Sequence, residues 1–310
     1  MVSMRPVGVA LSWAIASGWI LGAVDAQAGC PVPDLLNPHA YTRDRDVRYD
    51  TVDGVELRAD LYRPSGPGPH SGVVLLHGGG WMIGGPELLE GVAQHLARQG
   101  LVVMNAHYRL LDRARMRGIV RDAVCAMRWM NAHAADYGVA PGCAGVGGDS
   151  AGGHLAAMVA LGGDDPRFLD GCDAAGDATA DVAFAMPLYG INDWSVQRET
   201  YGPGIELWWK GEILEPGEDW RAYSPIERAG HEPKIDFFLS HGRKDDLAEV
   251  EMSLNFARAL EAAGHRVTLQ IIDEAKHGYF SWAFYLTDWG RLGQSAMDRF
   301  LRETLSRPRP

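Results

Sequence analysis

The stretch GGDSAGG at residues 147–153 contains the signature G-x-S-x-G, with Ser150 between Gly148 and Gly152. It follows a short apolar run and leads into a helical segment at residues 154–161. This order of strand, sharp turn and helix is the context of a nucleophile elbow, which holds a serine at a strained turn. Glycines are needed there because a helix packed back onto its own strand leaves no room for Cβ atoms. The alternative is a glycine-rich turn before an ordinary helix, since the signature alone occurs by chance.

The length and composition of the chain bound its class. It has 310 residues, of which 46% are hydrophobic and 22% are charged, which is enough to bury a full core. We see no low-complexity linker and no internal repeat, so we expect residues 29–310 to form one domain. The formal net charge of −11 argues against binding to nucleic acid or to anionic membrane surfaces.

The first 28 residues differ from the rest of the chain. An arginine precedes an uncharged stretch at residues 6–24, and the small residues Ala26 and Ala28 follow where a signal peptidase reads them. This pattern predicts a signal peptide cleaved after Ala28 and a secreted or periplasmic protein. An uncleaved membrane anchor is the alternative, because the stretch is long enough. Lipid anchoring at Cys30 is less favoured, since Gln27 stands where a lipobox has leucine.

The chain has four cysteines: Cys30, Cys125, Cys143 and Cys172. If the protein is exported as predicted, they are candidates for disulfide bonds. An even number of cysteines in an oxidising compartment is typical of disulfide bonds. Cys125 and Cys143 flank the segment that leads into the strand before Ser150, so we predict that these two are bonded. The cysteines and histidines lack the spacing of a zinc site, and we expect neither a metal ion nor another cofactor.

Hydrophobic periodicity predicts an α/β protein. Residues 47–62 alternate as two strands around a turn at Asp53 and Gly54. Further along, continuous apolar runs, which are typical of strands buried on both faces, alternate with amphipathic helices. The predicted strands are 73–76, 101–105, 182–188, 235–240 and 267–272, and the predicted helices are 86–99, 119–135, 251–263 and 282–305. This alternation indicates a mostly parallel central sheet with helices on both faces.

One segment, residues 191–230, has no clear period and is rich in aromatic residues. Its tryptophans are Trp194, Trp208, Trp209 and Trp220. We interpret this segment as a small insertion that lies over the site like a lid. Trp208 and Trp209, together with Trp81, are candidates for the wall of a substrate pocket. The alternative is burial in the core, which is the usual role of aromatic clusters.

A serine hydroxyl is a poor nucleophile at neutral pH, so it needs a histidine base and a carboxylate that orients this base. In such a sheet the partners follow in the order Ser, Asp, His, each after a later strand. Asp245 and His277 follow the last two predicted strands and complete a triad with Ser150. On its own, His277 would be read as a surface histidine. His154 and His241 do not follow the last strand, and we expect structural roles for them.

A second cluster of glycines follows the strand at residues 73–76, where residues 77–81 read HGGGW. Glycine backbone at this place can direct N–H groups into the site as an oxyanion hole. The N–H of Ala151, the residue after the candidate nucleophile, is directed to the same space. The alternative is a plain glycine turn.

With these paired motifs, HGGxW and GxSAGG, the chain resembles the alpha/beta-hydrolase family, and within it the hormone-sensitive-lipase-like and feruloyl-esterase-like carboxylesterases. The resemblance covers about residues 47–305. It implies that the oxyanion hole consists of Gly79, Gly80 and Ala151. It also implies that the acid is Asp245, three residues after the glycine of an HG-x-x-D loop, rather than its neighbour Asp246.

The lipase-like branch of this family has a sizeable N-terminal cap before its HGGG motif. In this chain only residues 29–76 separate the predicted cleavage site from His77. We therefore expect the insertion at residues 191–230 to shape the pockets for the acyl and alcohol parts of the substrate.

The motifs predict a serine carboxylic-ester hydrolase that works through an acyl-enzyme. Short-chain esters and aryl or carbohydrate esters are the expected substrates, as small molecules or linked to a glycan. An amide or formamide hydrolase with the same triad is one alternative. A catalytically silent binding protein on the same fold is another, although such proteins usually lose a member of the triad. The oligomeric state is left open by the sequence.

Overall fold

The computed structural model describes residues 29–34, 37–231, 233–281 and 284–308. Its centre is one sheet of eight strands, built from the alternating and continuous apolar segments. The strands are β1 Tyr41–Val52, β2 Val55–Pro64, β3 His70–Leu76, β4 Val102–Ala106, β5 Val139–Asp149, β6 Phe184–Leu188, β7 Asp236–Gly242 and β8 Arg266–Ile272.

In the described part of the chain, seven α-helices connect and cover these strands. They are α1 Glu90–Arg98, α2 Met116–Ala132, α3 Ala151–Gly162, α4 Trp194–Tyr201, α5 Pro203–Trp208, α6 Val250–Ala262 and α7 Asp288–Leu305. Shorter 3-10 helices cover Pro86–Leu89, Pro166–Phe168, Asp173–Ala175, Trp220–Tyr223 and Pro225–Arg228, and a π-helix covers Trp209–Ile213.

The strand order is β1-β2-β4-β3-β5-β6-β7-β8. The pairs β1·β2 and β2·β4 are antiparallel, and all other neighbours are parallel. The mostly parallel sheet predicted from the sequence is thus confirmed. In such a sheet the carboxyl ends of the parallel strands meet at one edge, so the loops after β3, β5, β7 and β8 lie close together.

The central strands of the sheet are buried on both faces. In β3, Val74 and Leu76 pack in a cluster that includes α2, α3 and α6, whereas Val73 and Leu75 pack in a second cluster with α1 and α7. Successive side chains of a strand point to opposite faces, so a four-residue apolar run supplies both clusters. This is the physical reason for the continuous rather than alternating hydrophobicity of the central strands.

Two predicted helices begin later in the structure. Residues Pro86–Leu89 form a 3-10 helix before α1. Proline suits its first position, because its φ is already helical and its missing N–H would have no partner there. The last helix begins at Asp288 rather than at residue 282, since the Thr287 side chain caps it by accepting a hydrogen bond from the Gly290 N–H at 3.0 Å.

The predicted disulfide between Cys125 and Cys143 is wrong. The bonds join Cys30 to Cys143 and Cys125 to Cys172. The sheet itself is the reason: Cys125 lies in the cluster with α2 and α3, and Cys143 of β5 points to the opposite face. Proximity along the chain could not reveal which face of the sheet each cysteine occupies.

The predicted signal peptide, residues 1–28, lies outside the described residues. Among the helices that the structure describes, none combines the length and apolar character that a membrane span requires.

Candidate active site

Ser150 lies at the sharp turn between β5 and α3, with φ 52° and ψ −118°. This left-handed backbone is strained for a residue with a side chain. The Ser150 N–H donates to the carbonyl of Leu188 at 2.9 Å, which ties the turn to β6. A Cβ at Gly152 would overlap the carbonyl oxygen of Leu76, so the glycine lets α3 pack against the end of β3. The local geometry is that of the elbow predicted from GGDSAGG.

The structure brings Ser150, Asp245 and His277 together. His277 Nε2 lies 2.8 Å from Ser150 Oγ, and His277 Nδ1 lies 2.7 Å from Asp245 Oδ2. A carboxylate can only accept, so it selects the imidazole tautomer with the proton on Nδ1. Nε2 is then free to accept the proton of the serine hydroxyl. This is the arrangement of a nucleophile, its base and the group that orients the base.

Asp245 is held by four hydrogen-bond donors. Its Oδ1 accepts the backbone N–H groups of Leu247 and Ala248, both at 2.9 Å, and His241 Nε2 lies 3.3 Å from Oδ2. Burial alone would raise the pKa of Asp245, but the hydrogen bonds from His241 and His277 bring this pKa well below its usual range. The carboxylate therefore stays ionised. Asp246 is exposed, and the geometry selects Asp245 as the partner of His277.

His154 and His241 have the structural surroundings expected for them. His154 Nε2 donates to the Tyr223 carbonyl at 2.7 Å, and burial lowers the pKa of His154 to about 4. His241 Nε2 lies 2.9 Å from the Ala248 carbonyl as well as 3.3 Å from Asp245 Oδ2, so its single N–H is shared between these two oxygens. The contact of His241 with Asp245 was not foreseen from the sequence. It places a second imidazole against the candidate acid.

The loop after β3, residues 77–83, contains the candidate oxyanion-hole residues and is termed the oxyanion loop. Gly79, Gly80 and Trp81 all have positive φ, at 116°, 62° and 60°. The N–H groups of Met82 and Ile83 turn back to the Gly79 carbonyl, both at 3.1 Å. Within the described part of the chain, the N–H groups of Gly79 and Gly80 have no acceptor, so both are available to a ligand.

The third candidate donor lies at the start of α3. Ala151 is its first residue, and the first N–H groups of a helix have no acceptor within the helix. The structure thus brings the three predicted oxyanion-hole residues to the edge of the sheet that carries Ser150.

The start of the oxyanion loop is anchored by residues that the motifs did not reveal. The Tyr108 hydroxyl donates to the His77 carbonyl at 2.6 Å, and the two rings stack at 4.4 Å. His77 Nε2 also lies 3.2 Å from His107 Nδ1. Burial lowers the pKa of His77 to about 4, so this histidine is neutral. His107 and Tyr108 come directly after β4, which is the parallel neighbour of β3. This position in the sequence could have indicated that they lie beside the loop after β3.

The tryptophans of the insertion separate into two classes. Trp209 is 1% exposed and packs between Trp194 and Trp220, at ring distances of 5.0 and 5.6 Å. Trp194 in turn lies 6.0 Å from Trp81. Trp209 is therefore a core residue of the insertion, as in the burial alternative. Trp208 is 37% exposed and faces solvent, and Trp81 is buried beside the oxyanion loop.

Among the described residues, one group has metal-ligand composition: Asp50, Cys125 and Cys172. Both sulfurs belong to a disulfide bond, and a disulfide sulfur is not the thiolate that binds metal ions. A cavity of about 860 Å³ lies at the start of α2 among arginines such as Arg113 and Arg117, and Ser150 does not line it. Most of these arginines already pair with carboxylates or carbonyls.

Comparisons with known proteins identify the family of this chain. The family model BD-FAE matches residues 59–260. The carboxylic ester hydrolase LipN of Mycobacterium tuberculosis is 30% identical over 81% of this chain and 68% of its own length. Ethyl acetate hydrolase of Pseudomonas putida is 27% identical over 76% of this chain and 74% of its own length. The probable carboxylic ester hydrolase LipM of M. tuberculosis is matched over 66% of its length, so this chain spans about two thirds of both mycobacterial relatives.

Solved structures give the same result. The esterase Est2 of the planctomycete Thermogutta terrifontis, solved with propionate bound, has a TM-score of 0.72 and 27% identity, and covers 87% of this chain and 96% of its own. The same species' esterase 2, phosphorylated by paraoxon, has a TM-score of 0.69 at 26% identity and covers 87% and 95%. This chain belongs to the alpha/beta-hydrolase family of carboxylic ester hydrolases.

Proposed function

We propose that this protein is a serine carboxylic-ester hydrolase that works through an acyl-enzyme on Ser150. The observation that carries the proposal is the unbroken hydrogen-bond chain from Asp245 through His277 to the Ser150 hydroxyl. This chain supplies what a serine needs to become a nucleophile at neutral pH: a base in the correct tautomer and a carboxylate that stabilises the charged imidazole.

In the first half-reaction, Ser150 Oγ attacks the ester carbonyl while His277 Nε2 takes the hydroxyl proton. The negative charge that develops on the carbonyl oxygen is stabilised by the N–H groups of Gly79, Gly80 and Ala151. The C–O bond to the alcohol then breaks, and His277 gives its proton to the leaving alkoxide. In the second half, His277 takes a proton from water as the water oxygen attacks the acyl carbon. The bond from this carbon to Ser150 Oγ then breaks, His277 returns the proton to Oγ, and the carboxylic acid leaves.

Short acyl chains and aryl or carbohydrate alcohols are the proposed substrate class. A relative that hydrolyses ethyl acetate and a similar esterase solved with propionate support small acyl groups. We propose that the exposed ring of Trp208 contacts the aryl or sugar group of such a substrate. An amide hydrolase with the same machinery is distinguished by comparing p-nitrophenyl acetate with p-nitroacetanilide.

The test combines turnover with covalent labelling. We expect a burst of p-nitrophenol from p-nitrophenyl butyrate and a mass increase from paraoxon on Ser150. Ser150→Ala should lose about 10⁶-fold in kcat and all labelling, while Ser295→Ala, an exposed serine on α7, should behave as wild type. Several per cent of wild-type activity in folded Ser150→Ala would require another nucleophile. A wild-type protein that neither labels nor turns over would be a silent binding protein.

We also propose export, with the mature protein beginning at Gly29. Two disulfide bonds support an oxidising compartment. The intact mass of protein from the native host tests this: a mass that includes residues 1–28 contradicts cleavage, and a lipid on the N-terminal segment would require a free Cys30.

A further inference from the structure

Asp149 precedes the candidate nucleophile in the chain, and its side chain is buried. Asp149 Oδ1 accepts the backbone N–H of Gly78 at 2.7 Å, and Oδ2 accepts the Tyr189 hydroxyl at 3.3 Å. The carboxylate is thus a bridge between the elbow and the loop that starts the oxyanion hole. The triad mechanism makes no use of this group.

Tyr189, the other end of the bridge, touches the candidate base. It follows β6 with φ 36°, a left-handed backbone that is costly for a residue with a side chain. Its N–H donates to the Ser240 carbonyl at 2.8 Å, and its fully buried ring meets the His277 ring edge-on at 5.0 Å. Strain that persists at such a place is held by its surroundings and marks a candidate functional position.

We propose that Asp149 and Tyr189 are positioning residues that couple the base His277 to the oxyanion loop. The contacts run from the His277 ring to Tyr189, from its hydroxyl to Asp149, and from Asp149 to the Gly78 N–H. They hold the following amides, Gly79 and Gly80, in place before substrate binds. This inference rests on the proposed function.

The bridge acts where small displacements matter most. The stabilisation of an oxyanion depends on donors that are already oriented when the charge develops, and losing one donor costs about 10²–10³-fold in kcat. Gly78 is the residue before the two donors, so its peptide plane sets their direction. A Cβ on Gly78 would lie 2.8 Å from Asp149 Oδ2, which shows how closely the loop is seated on the carboxylate.

The electrostatic state of Asp149 offers a readout that a merely structural residue would lack. Burial raises its pKa to about 6, opposed by the Gly78 N–H, His277, and the hydroxyls of Tyr189 and Ser281. The Tyr108 hydroxyl also faces this carboxyl. As the pH falls through about 6, the carboxylate takes up a proton and becomes a weaker acceptor for the Gly78 N–H. We therefore expect kcat to fall on the acid side partly through Asp149.

The experiment measures kcat and KM for p-nitrophenyl acetate from pH 4.5 to 9 in Asp149→Ala, Asp149→Asn and Tyr189→Phe. Asp149→Ala should lose about 10²-fold in kcat with KM changed less than about threefold, because the oxyanion donors act in the transition state. Asp149→Asn keeps an acceptor for Gly78 and should recover most of this loss. Its profile should lack the contribution of Asp149 to the acid side.

Tyr189→Phe removes only the hydroxyl, so the Asp149 carboxylate loses a donor. We expect its pKa to rise and the acid side of the kcat profile to shift to higher pH, with a loss of about three- to tenfold at pH 7. In an Asp149→Ala background the same change should have no further effect on kcat. The matched control is Tyr285→Phe, whose hydroxyl donates to the exposed Gly91 carbonyl, and it should equal wild type.

Titration with paraoxon counts the competent sites in each preparation and corrects for any loss of fold. Wild-type kcat in Asp149→Ala would overturn the inference, as would an unshifted pH profile in both Tyr189→Phe and Asp149→Asn. A rise in KM as large as the fall in kcat would indicate a general disturbance of the site, and it would also overturn the inference. If Ser150→Ala retained activity, the proposed function would fail first and separately.

Discussion

At the scale of single residues, Asp245 and Asp246 are neighbours in very different surroundings. Asp245 accepts four hydrogen bonds, whereas Asp246 is exposed. Asp245→Asn should reduce kcat by up to about 10⁴-fold, because an amide favours the wrong tautomer of His277. Asp246→Asn should stay within a few-fold of wild type, since exposed charges contribute about 0–1 kcal/mol.

Both variants are assayed on one chromogenic ester, with thermal unfolding as the check on fold. If Asp246→Asn were the inactive variant, the hydrogen-bond geometry at His277 would be wrong. If neither variant lost activity, no carboxylate of this loop would orient the base.

The buried His154 should make the free energy of unfolding depend on pH. Its pKa is lowered from 6.5 to about 4 in the folded protein, so the unfolded chain binds the extra proton more readily between these values. The free energy of unfolding should therefore fall as the pH drops from about 6.5 to about 4, by about 3 kcal/mol from this residue. Asp149 acts in the opposite direction, because its folded-state pKa is raised.

Urea unfolding at pH 7.5 and pH 4.5 measures this contribution. In His154→Gln the side-chain amide can still donate to the Tyr223 carbonyl but does not titrate. Its loss of stability between the two pH values should be smaller than that of wild type by about 3 kcal/mol. An equal loss in both proteins would mean that His154 accepts a proton in the folded state without penalty.

At the scale of elements, the insertion between β6 and β7 is held by its own aromatic core. Replacing Trp209 by alanine should lower the free energy of unfolding by about 3–5 kcal/mol, because its ring fills the space between Trp194 and Trp220. Trp208→Ala, one residue earlier, should change stability by less than about 0.5 kcal/mol.

Measuring KM for both variants distinguishes an effect on substrate binding from an effect on stability. Trp208→Ala should raise KM for an aryl ester more than for ethyl acetate if its exposed ring contacts the alcohol group. Denaturant unfolding with equal losses in the two variants would contradict the assignment of Trp209 to the core.

At the scale of the whole molecule, the two disulfides lie on opposite faces of the sheet, and each joins distant parts of the chain. They close separations of 113 residues for Cys30–Cys143 and 47 residues for Cys125–Cys172. Loop entropy in the unfolded chain assigns about 5 and about 4 kcal/mol to them. Replacing Cys125 and Cys172 together by serine should thus lower the free energy of unfolding by up to about 4 kcal/mol.

Thiol counts in denatured, unreduced protein provide the control. We expect no free thiol in wild type and none in the double variant, whose remaining two cysteines stay bonded. Two free thiols in the double variant would mean that Cys30 and Cys143 depend on the other bond or are not joined.

The sequence alone determined the α/β architecture and the identity of the candidate nucleophile, acid and base. These follow from local rules: continuous apolar runs for strands buried on both faces, glycines where a helix packs back on its strand, and the order of Ser150, Asp245 and His277 after successive strands. Each of these signals is contained within a few residues, so no distant contact was needed to recognise it.

Only the tertiary structure decided how remote groups meet. The pairing of Cys30 with Cys143 depends on which face of the sheet each side chain occupies, and Trp209 is in the core because Trp194 and Trp220 enclose it. Likewise, the carboxylate of Asp149 reaches Gly78 across 71 positions of the chain. Such contacts depend on strand order and helix packing, which place residues side by side in space without leaving a pattern in their spacing along the chain.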